Sequence, residues 1–474
     1  MTKPVILWLR QDLRLHDNPA LIAAINSNQP IIFLYILDDT LNIGGASRWW
    51  LHHSLEALAQ SLQKKGATLV LRKGAAKTIL PQLVTTTNAD KVMWNRRYDS
   101  AGIAIDTEIK TSLGAAGIRC ESFNSHLLFE PWTIKNKQGK PYQVFTRFWN
   151  HCLEQPTPPI PLAAPDQLTS VEIASDPLES WNLLPTKPDW SGGLNDTWQP
   201  GEAAALARLE NFLDELVADY KEDRNRPDLT ATSRLSPSLA WGEISPRVIY
   251  YETRRMMHNN SITARGGQAL LSEIGWREFS YHLLFHFSDL PTTPLKSQFK
   301  NFPWAKDENL FHLWTKGLTG YPIVDAGMRE LWHTGWMHNR VRMIVASFLV
   351  KDLLLSWQQG AAWFWDTLVD ADIANNSASW QWVSGCGADA APYFRIFNPI
   401  LQGEKFDPNG EYVRKWIPEL KDLPNELIHK PWQASTARLS VANVQLGITY
   451  PKPIIDHDKA RHRALAIFHG LPKG

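Results

Sequence analysis

The chain has 474 residues, 44% hydrophobic and 20% charged, with a formal net charge of +1. Its length exceeds one ordinary core and argues for two domains, and the near-zero charge excludes a global nucleic-acid footprint while leaving a local basic patch open. No apolar run reaches the roughly 18 residues that a membrane span needs.

The opening "MTKPVILWLRQDLRLHDN" enters a strand pattern at once, without the long apolar region and small-residue cleavage site of a signal peptide. Residues 4–9, 30–37, 68–72, 91–95 and 118–123 read as short buried strands, with helical patterns between them at 47–65 and 100–115. Alternating strand and helix predicts a doubly wound parallel sheet covered on both faces. The first strand runs into "RQDLRLHDN", so the glycine-rich dinucleotide turn is absent. Proline-rich 153–165 cannot continue a helix and begins a connection reaching about residue 198. Beyond it, 201–220, 236–259, 266–287, 321–333, 336–356 and 361–369 carry apolar residues at helical spacing. The expected domains are therefore an α/β domain over 1–130, a linker over 131–198 and an all-helical domain over 199–474. Three scattered cysteines (Cys120, Cys152, Cys386) give neither a disulfide framework nor metal-ligand spacing, which suits a reducing, cytoplasmic, soluble setting with no metal.

Two stretches carry chemistry. In "GWMHNRVRMIVASFLVKDLLLSW" (335–357), a helix bound for a core begins with His338, Asn339, Arg340 and Arg342. Asn339 and Met343 share a face, and Arg342 projects about 60° to the other side of Asn339. That surface suits a flat ligand gripped by a guanidinium, and it equally suits a solvated helix end with Met343 filling a gap. The stretch 370–399, "DADIANNSASWQWVSGCGADAAPYFRIFNP", makes poor core, because buried Asn and Asp need partners; it makes sense around a polar heterocycle. The 22 tryptophans are the compositional anomaly, and core packing accounts for them unless they line a site.

"GWMHNRVRM", "TGYPIVDAGMR", "WREF", "TSRLS", "ASWQW" and "FRIFNP" together resemble the class I cyclobutane pyrimidine dimer photolyases of the photolyase/cryptochrome family. The likeness runs from "LWLRQDLRLHDNPAL" to "YPKPIIDHDKAR". It implies an N-terminal antenna domain and a C-terminal helical domain holding FAD. Tyr220, Thr232, Ser233, Arg234, Leu235 and Ser236 would hold the phosphates and ribityl chain. Trp336, Asn339, Arg342, Asp370, Asp372 and Asn376 would surround the flavin, with Arg342 paired to Asp370 and Asn376 facing N5. Trp380, Trp357 and Trp304 match the electron-relay tryptophans. Trp357 closes the predicted helix 14 residues past Met343, or roughly 21 Å along its axis.

The resemblance also places lesion and DNA contacts. Glu273 would bond a thymine edge, Trp276 would stack on it, and Trp382, Asn339 and Met343 would complete the pocket. Arg224, Arg277, Arg340, Arg395 and Lys405 are the further DNA contacts implied. For Glu273 an ion pair with Arg277 is the structural alternative. Excited FADH⁻ would donate an electron to a flipped-out dimer in UV-damaged DNA, its cyclobutane bonds would open, and the electron would return. Asn339 and Met343 favour cyclobutane dimers over the (6-4) lesion, whose enzymes place histidines there. A cryptochrome-type photoreceptor is the other reading; the short end after "AIFHGLPKG" and the lesion-pocket residues weigh for the enzyme. At "WNRRYDSAGIAID" the folate and deazaflavin patterns are both departed from, so folate, deazaflavin, FMN or no second chromophore stay open. A monomer is expected.

Overall fold

A computed structural model describes residues 3–38, 41–259, 261–390 and 394–472. Five strands, β1 (Val5–Leu9), β2 (Ile31–Leu37), β3 (Leu69–Lys73), β4 (Lys91–Asn95) and β5 (Arg119–Phe123), form a parallel sheet in the order β3-β2-β1-β4-β5. Four helices, α1 (Pro19–Asn26), α2 (Gly45–Lys64), α3 (Ala76–Thr87) and α4 (Ser100–Ala115), connect them. β1, β2 and most of β4 are buried, as expected of strands covered on both faces. Ile6, Trp8, Ile32, Leu34, Val70, Leu80, Val92 and Trp94 join one apolar core, each such side chain contributing about 1.5–3 kcal/mol. The order reverses between β1 and β4, which is where open α/β sheets present a crevice at the carboxyl ends of their strands.

Side chains replace glycine in shaping the turn after β1. Arg10 pairs with Asp106 at 2.6 Å, Asn95 donates to Asp12 at 2.6 Å, and Asn18 caps α1 through the Leu21 N–H. Arg247 reaches Asp17 at 2.7 Å.

Compactness divides the chain differently from the sequence boundaries at 130 and 198. One unit comprises Met1–Ala218, Ser233–Ser288 and Val369–Ala374; the other comprises Asp219–Thr232, Asp289–Leu368 and Asn375–Gly474. Buried polar bonds between distant segments explain the first. Arg14 donates to the Gly242 carbonyl at 2.8 Å, and Glu278 accepts from the Leu128 and Phe129 N–H groups at 2.9 and 3.2 Å. The 131–198 stretch is ordered within this unit: it carries a helix, α5 (Phe145–Glu154), and Thr169 and Val171 bond the backbone of Ile31 at the start of β2.

The expected 236–259 helix is two helices, Ser236–Ala240 and Pro246–Asn259. Gly242 lies between them at φ +66°, where a Cβ would meet the Gln11 carbonyl at 2.0 Å, so close approach to the β1 turn forces the break. The expected 336–356 helix is likewise shorter. It runs Asn339–Ser347 and widens to a π-turn over Phe348–Asp352, after which Leu354 turns left-handed at φ 55°. Trp357 therefore opens the next helix, Trp357–Thr367, rather than closing this one, and the 21 Å helical-rise estimate does not apply. Among the described residues no helix is long and apolar enough to cross a membrane.

Candidate functional site

In the first unit, "TSRLS" ends in a cradle. Arg234 adopts φ +49° and Leu235 follows in the right-handed region, so successive N–H groups face one side, an arrangement that suits phosphate oxygens. Ser233 and Arg234 are half-buried, and the Arg234 guanidinium lies 5.8 Å from the Trp198 ring. Asp370 and Asp372 are both buried. Asp372 accepts a hydrogen bond from the Tyr281 hydroxyl.

Tyr281 opens a network that sequence reasoning missed. Its hydroxyl lies 2.7 Å from His126 Nε2, which Arg277 also meets at 2.7 Å, while Arg277 donates to the His126 carbonyl. Burial, then the neighbouring Asp372, raises the Tyr281 pKa well above its ordinary value. Burial, then Arg277, holds His126 far below its ordinary pKa, so the ring is neutral. The i,i+4 spacing of Arg277 and Tyr281 was the available signal; the guanidinium lies 4.9 Å over the tyrosine ring.

The same network corrects one expected DNA contact. Arg277 is only 6% exposed and its donors are committed to His126, so it has no route to a phosphate. Glu273 and Trp276, on the same Ala264–His286 helix, are half-buried. Phe145 stacks on Trp276 at 3.9 Å and 9°, and Phe279 meets the indole edge-on at 5.9 Å.

In the second unit, His338 caps the Asn339–Ser347 helix, accepting from the Arg340 N–H. It is buried and outside the helix rather than on it. Asn339 is exposed at the first helical position, with Met343 and Arg342 half-buried behind it. Arg342 donates to the Met337 carbonyl at 2.7 Å and lies 5.8 Å over the buried Trp336, which fixes its direction. Asn376 is half-buried and donates to the Ala361 carbonyl at 3.0 Å. Trp382 donates to the Asp389 carbonyl at 3.1 Å.

The three tryptophans expected to form a relay lie on adjoining segments. Trp380 presses on Gly360, one turn along the helix from Trp357; a Cβ there would meet its ring at 2.2 Å. The Ala305 N–H bonds the Leu354 carbonyl at 2.8 Å, setting the strand of chain that carries Trp304 beside the start of the Trp357 helix. Trp380 and Trp357 are buried and Trp304 is half-buried. Phe364 and Trp314 also contact Trp380, at 5.0 and 6.4 Å.

Four expected phosphate contacts group together. Arg340 lies 4.4 Å from the Phe406 ring and Lys405 5.2 Å from it. Arg340 donates to Asn225, next to Arg224, at 2.6 Å. Its pKa is lowered by burial and then by the charges of Arg395 and Arg224, so these guanidinium groups feel one another. A polyanion would relieve that repulsion. Tyr220 is buried, with Arg224 5.6 Å over its ring. Thr232 is half-buried.

A polar pocket opens at the sheet's reversal point, lined by Gln11, Asp12, Arg97, Asp99, His126 and Tyr281 among others. Arg97 grips Asp99 with two 2.9 Å bonds, and this guanidinium is the largest influence holding the carboxyl below its usual pKa against burial.

Each unit thus carries chemistry suited to a flavin dinucleotide: a phosphate cradle and two buried carboxylates in the first, a directed guanidinium and the amides of Asn339 and Asn376 in the second. Comparison with known proteins agrees. Residues 5–166 match the family model described as DNA photolyase, and 270–470 match the FAD binding domain of DNA photolyase. A deoxyribodipyrimidine photo-lyase of Agrobacterium fabrum is 51% identical, with 100% of this chain and 99% of that one aligned. Cryptochrome-1 of Arabidopsis thaliana is 39% identical over 97% of this chain and 69% of its own length. A bacterial class III photolyase from Agrobacterium tumefaciens superposes with a TM-score of 0.96 at 51% identity, covering 99% and 98% of the two chains. The class I assignment drawn from the motifs finds no support in that likeness.

Proposed function

The chain belongs to the photolyase/cryptochrome family, and within it we propose a deoxyribodipyrimidine photolyase of class III character that opens cyclobutane dimers in UV-damaged DNA under light. The observation that carries this reading is the group of cations Arg340, Lys405, Arg395 and Arg224, which suits a phosphate backbone. The 51% identity to a photo-lyase along the whole chain supports it against the cryptochrome alternative.

Residues Tyr220 and Thr232–Ser236 would hold the dinucleotide, and Trp336, Asn339, Arg342, Asp370, Asp372 and Asn376 the ring. Bound, reduced and excited by light, FAD supplies the electron that cleaves the lesion. The chain's own residues orient, exclude water and balance charge. Arg224, Arg340, Arg395 and Lys405 neutralise phosphates; Glu273 offers a carboxyl to a pyrimidine edge; Trp276 and Trp382 offer ring faces to the extruded bases. Asn339 and Met343 supply no proton, which suits a cyclobutane substrate rather than a (6-4) one. Trp304, Trp357 and Trp380 carry electrons inward when the cofactor must be reduced. A single chain does this work.

For light gathering, folate, deazaflavin, FMN or no second chromophore are the alternatives. Cofactors released by heat and separated by chromatography decide between them; flavin dinucleotide alone would mean that no second chromophore is bound. For the activity itself, illuminating the reduced protein with a thymine-dimer oligonucleotide and a (6-4) oligonucleotide in parallel is the test. Repair of the first alone is expected.

A further inference from the structure

Helix α2 brings together three side chains of metal-ligand chemistry, well apart in sequence from every residue assigned above. His52 Nε2 lies 3.4 Å from one Glu56 carboxylate oxygen, and His53 Nδ1 lies 2.9 Å from the other. One ligand atom from each residue falls within 4.8 Å of the other two. Successive helical residues point about 100° apart. These two imidazoles nevertheless approach to 5.2 Å between centroids, at 84°.

Their neighbours hold them there. Trp49 stands edge-on to His53 at 4.7 Å and is itself anchored by Asn195 at 3.2 Å. The His52 side chain is 8% exposed and its buried Nδ1 meets no partner, so Nε2, aimed at Glu56, is the ring's one polar outlet.

Zinc–nitrogen and zinc–oxygen bonds near 2.0–2.2 Å give tetrahedral edges of roughly 3.3–3.5 Å. The His52–Glu56 separation of 3.4 Å already matches that edge, and His53 reaches the other carboxylate oxygen at 2.9 Å. All three ligand atoms already lie within 4.8 Å of one another, and His53, whose side chain is 30% exposed, has room to adjust toward a shared ion. Glu56, at 44%, leaves a way in for the ion and open positions for water. Glu179, on the Leu178–Trp181 turn, adds negative charge felt at His52.

We propose that His52, His53 and Glu56 bind one borderline divalent cation, Zn²⁺ foremost. Two imidazoles and a carboxylate suit Zn²⁺, Ni²⁺ or Cu²⁺ and not the hard, oxygen-seeking Mg²⁺ or Ca²⁺. Glu56 stands four residues after His52 and three after His53, so each histidine shares a helix face with it; that spacing was the signal in the sequence. Its occupation is independent of flavin and of DNA.

Tag-free, chelator-stripped, flavin-loaded protein titrated with ZnCl₂ in a calorimeter tests this. One saturable equivalent is expected, weakened roughly ten-fold or more in His53→Gln and in Glu56→Gln. Both changes sit at partly exposed positions, and flavin content reports that each variant is folded. Co²⁺ in place of Zn²⁺ should give visible absorption bands in the wild type that both variants lose. No saturable binding, or equal affinity in all three proteins, overturns the proposal.

Discussion

Tyr281 donates its hydroxyl proton to Asp372 across 91 residues of sequence, tying the turn expected to face the flavin to the middle of the Ala264–His286 helix. A carboxylate buried this deeply depends on its donors, and losing one costs about 1–3 kcal/mol. Tyr281→Phe is expected to lower flavin occupancy, read as the visible-to-ultraviolet absorbance ratio of purified protein, and to leave DNA affinity nearly unchanged. Full occupancy with an unaltered unfolding midpoint would show that this bond matters to neither cofactor nor fold.

Two arginines from the same set of expected DNA contacts should now separate. Arg277 is buried and bonded to His126, so Arg277→Ala is expected to cost about 3 kcal/mol or more in urea unfolding. Arg395 is exposed beside the cationic group, so Arg395→Ala should leave unfolding alone and reduce the slope of log affinity against log salt by about 0.9. The opposite pattern would return Arg277 to the DNA surface.

Trp357→Phe would remove the ring proposed as the middle of the relay, one turn from Gly360. Photoreduction of oxidised protein should slow by at least an order of magnitude, while dimer repair by chemically reduced protein proceeds at the wild-type rate. Equal loss in both assays would end the division of labour. Trp314→Phe serves as a control, because Trp314 also touches Trp380.

Glu278 gives a pH signature. Burial raises its pKa to about 7 from the ordinary 4.5, with Arg277 and two backbone N–H groups pulling the other way. The folded group keeps its proton up to about pH 7 while the unfolded one has lost it near 4.5, so the unfolded chain binds fewer protons across that window. Wild-type stability therefore falls as pH rises from 4.5 to 7, by up to about 3 kcal/mol. Glu278→Gln should flatten that slope in unfolding curves taken across the window. Parallel curves for the two proteins would contradict it.

Strands were legible because a buried parallel strand is a short unbroken apolar run; β1 to β5 begin within a residue of their expected positions. Helix α4 matched from end to end. Helix interiors were less faithful where tertiary contacts overrode periodicity: apolar spacing persists through Phe348–Leu355, yet the backbone there is a π-turn followed by a left-handed residue. Helix α5 was legible and was passed over: Phe145, Phe148, Trp149 and Cys152 recur at helical spacing and form its buried face, but the proline-rich run that follows drew the whole stretch into a linker. Motif matching assigned Arg277 to DNA from its position alone. Burial is a property of the surroundings, and those residues, His126 above all, lie in a distant segment. The Arg224, Arg340, Arg395 and Lys405 set was visible by type, but the approach of Arg340 and Lys405 to Phe406, with the charges of Arg395 and Arg224 felt at Arg340, was not.

The central claim is tested most directly by ultraviolet absorbance during blue illumination of a thymine-dimer oligonucleotide with the fully reduced, flavin-loaded protein. Restored pyrimidine double bonds should raise the absorbance in the light and not in the dark, with Glu273→Ala slower. No rise in the light, with cofactor present and reduced, would contradict the photolyase account and leave the photoreceptor reading standing.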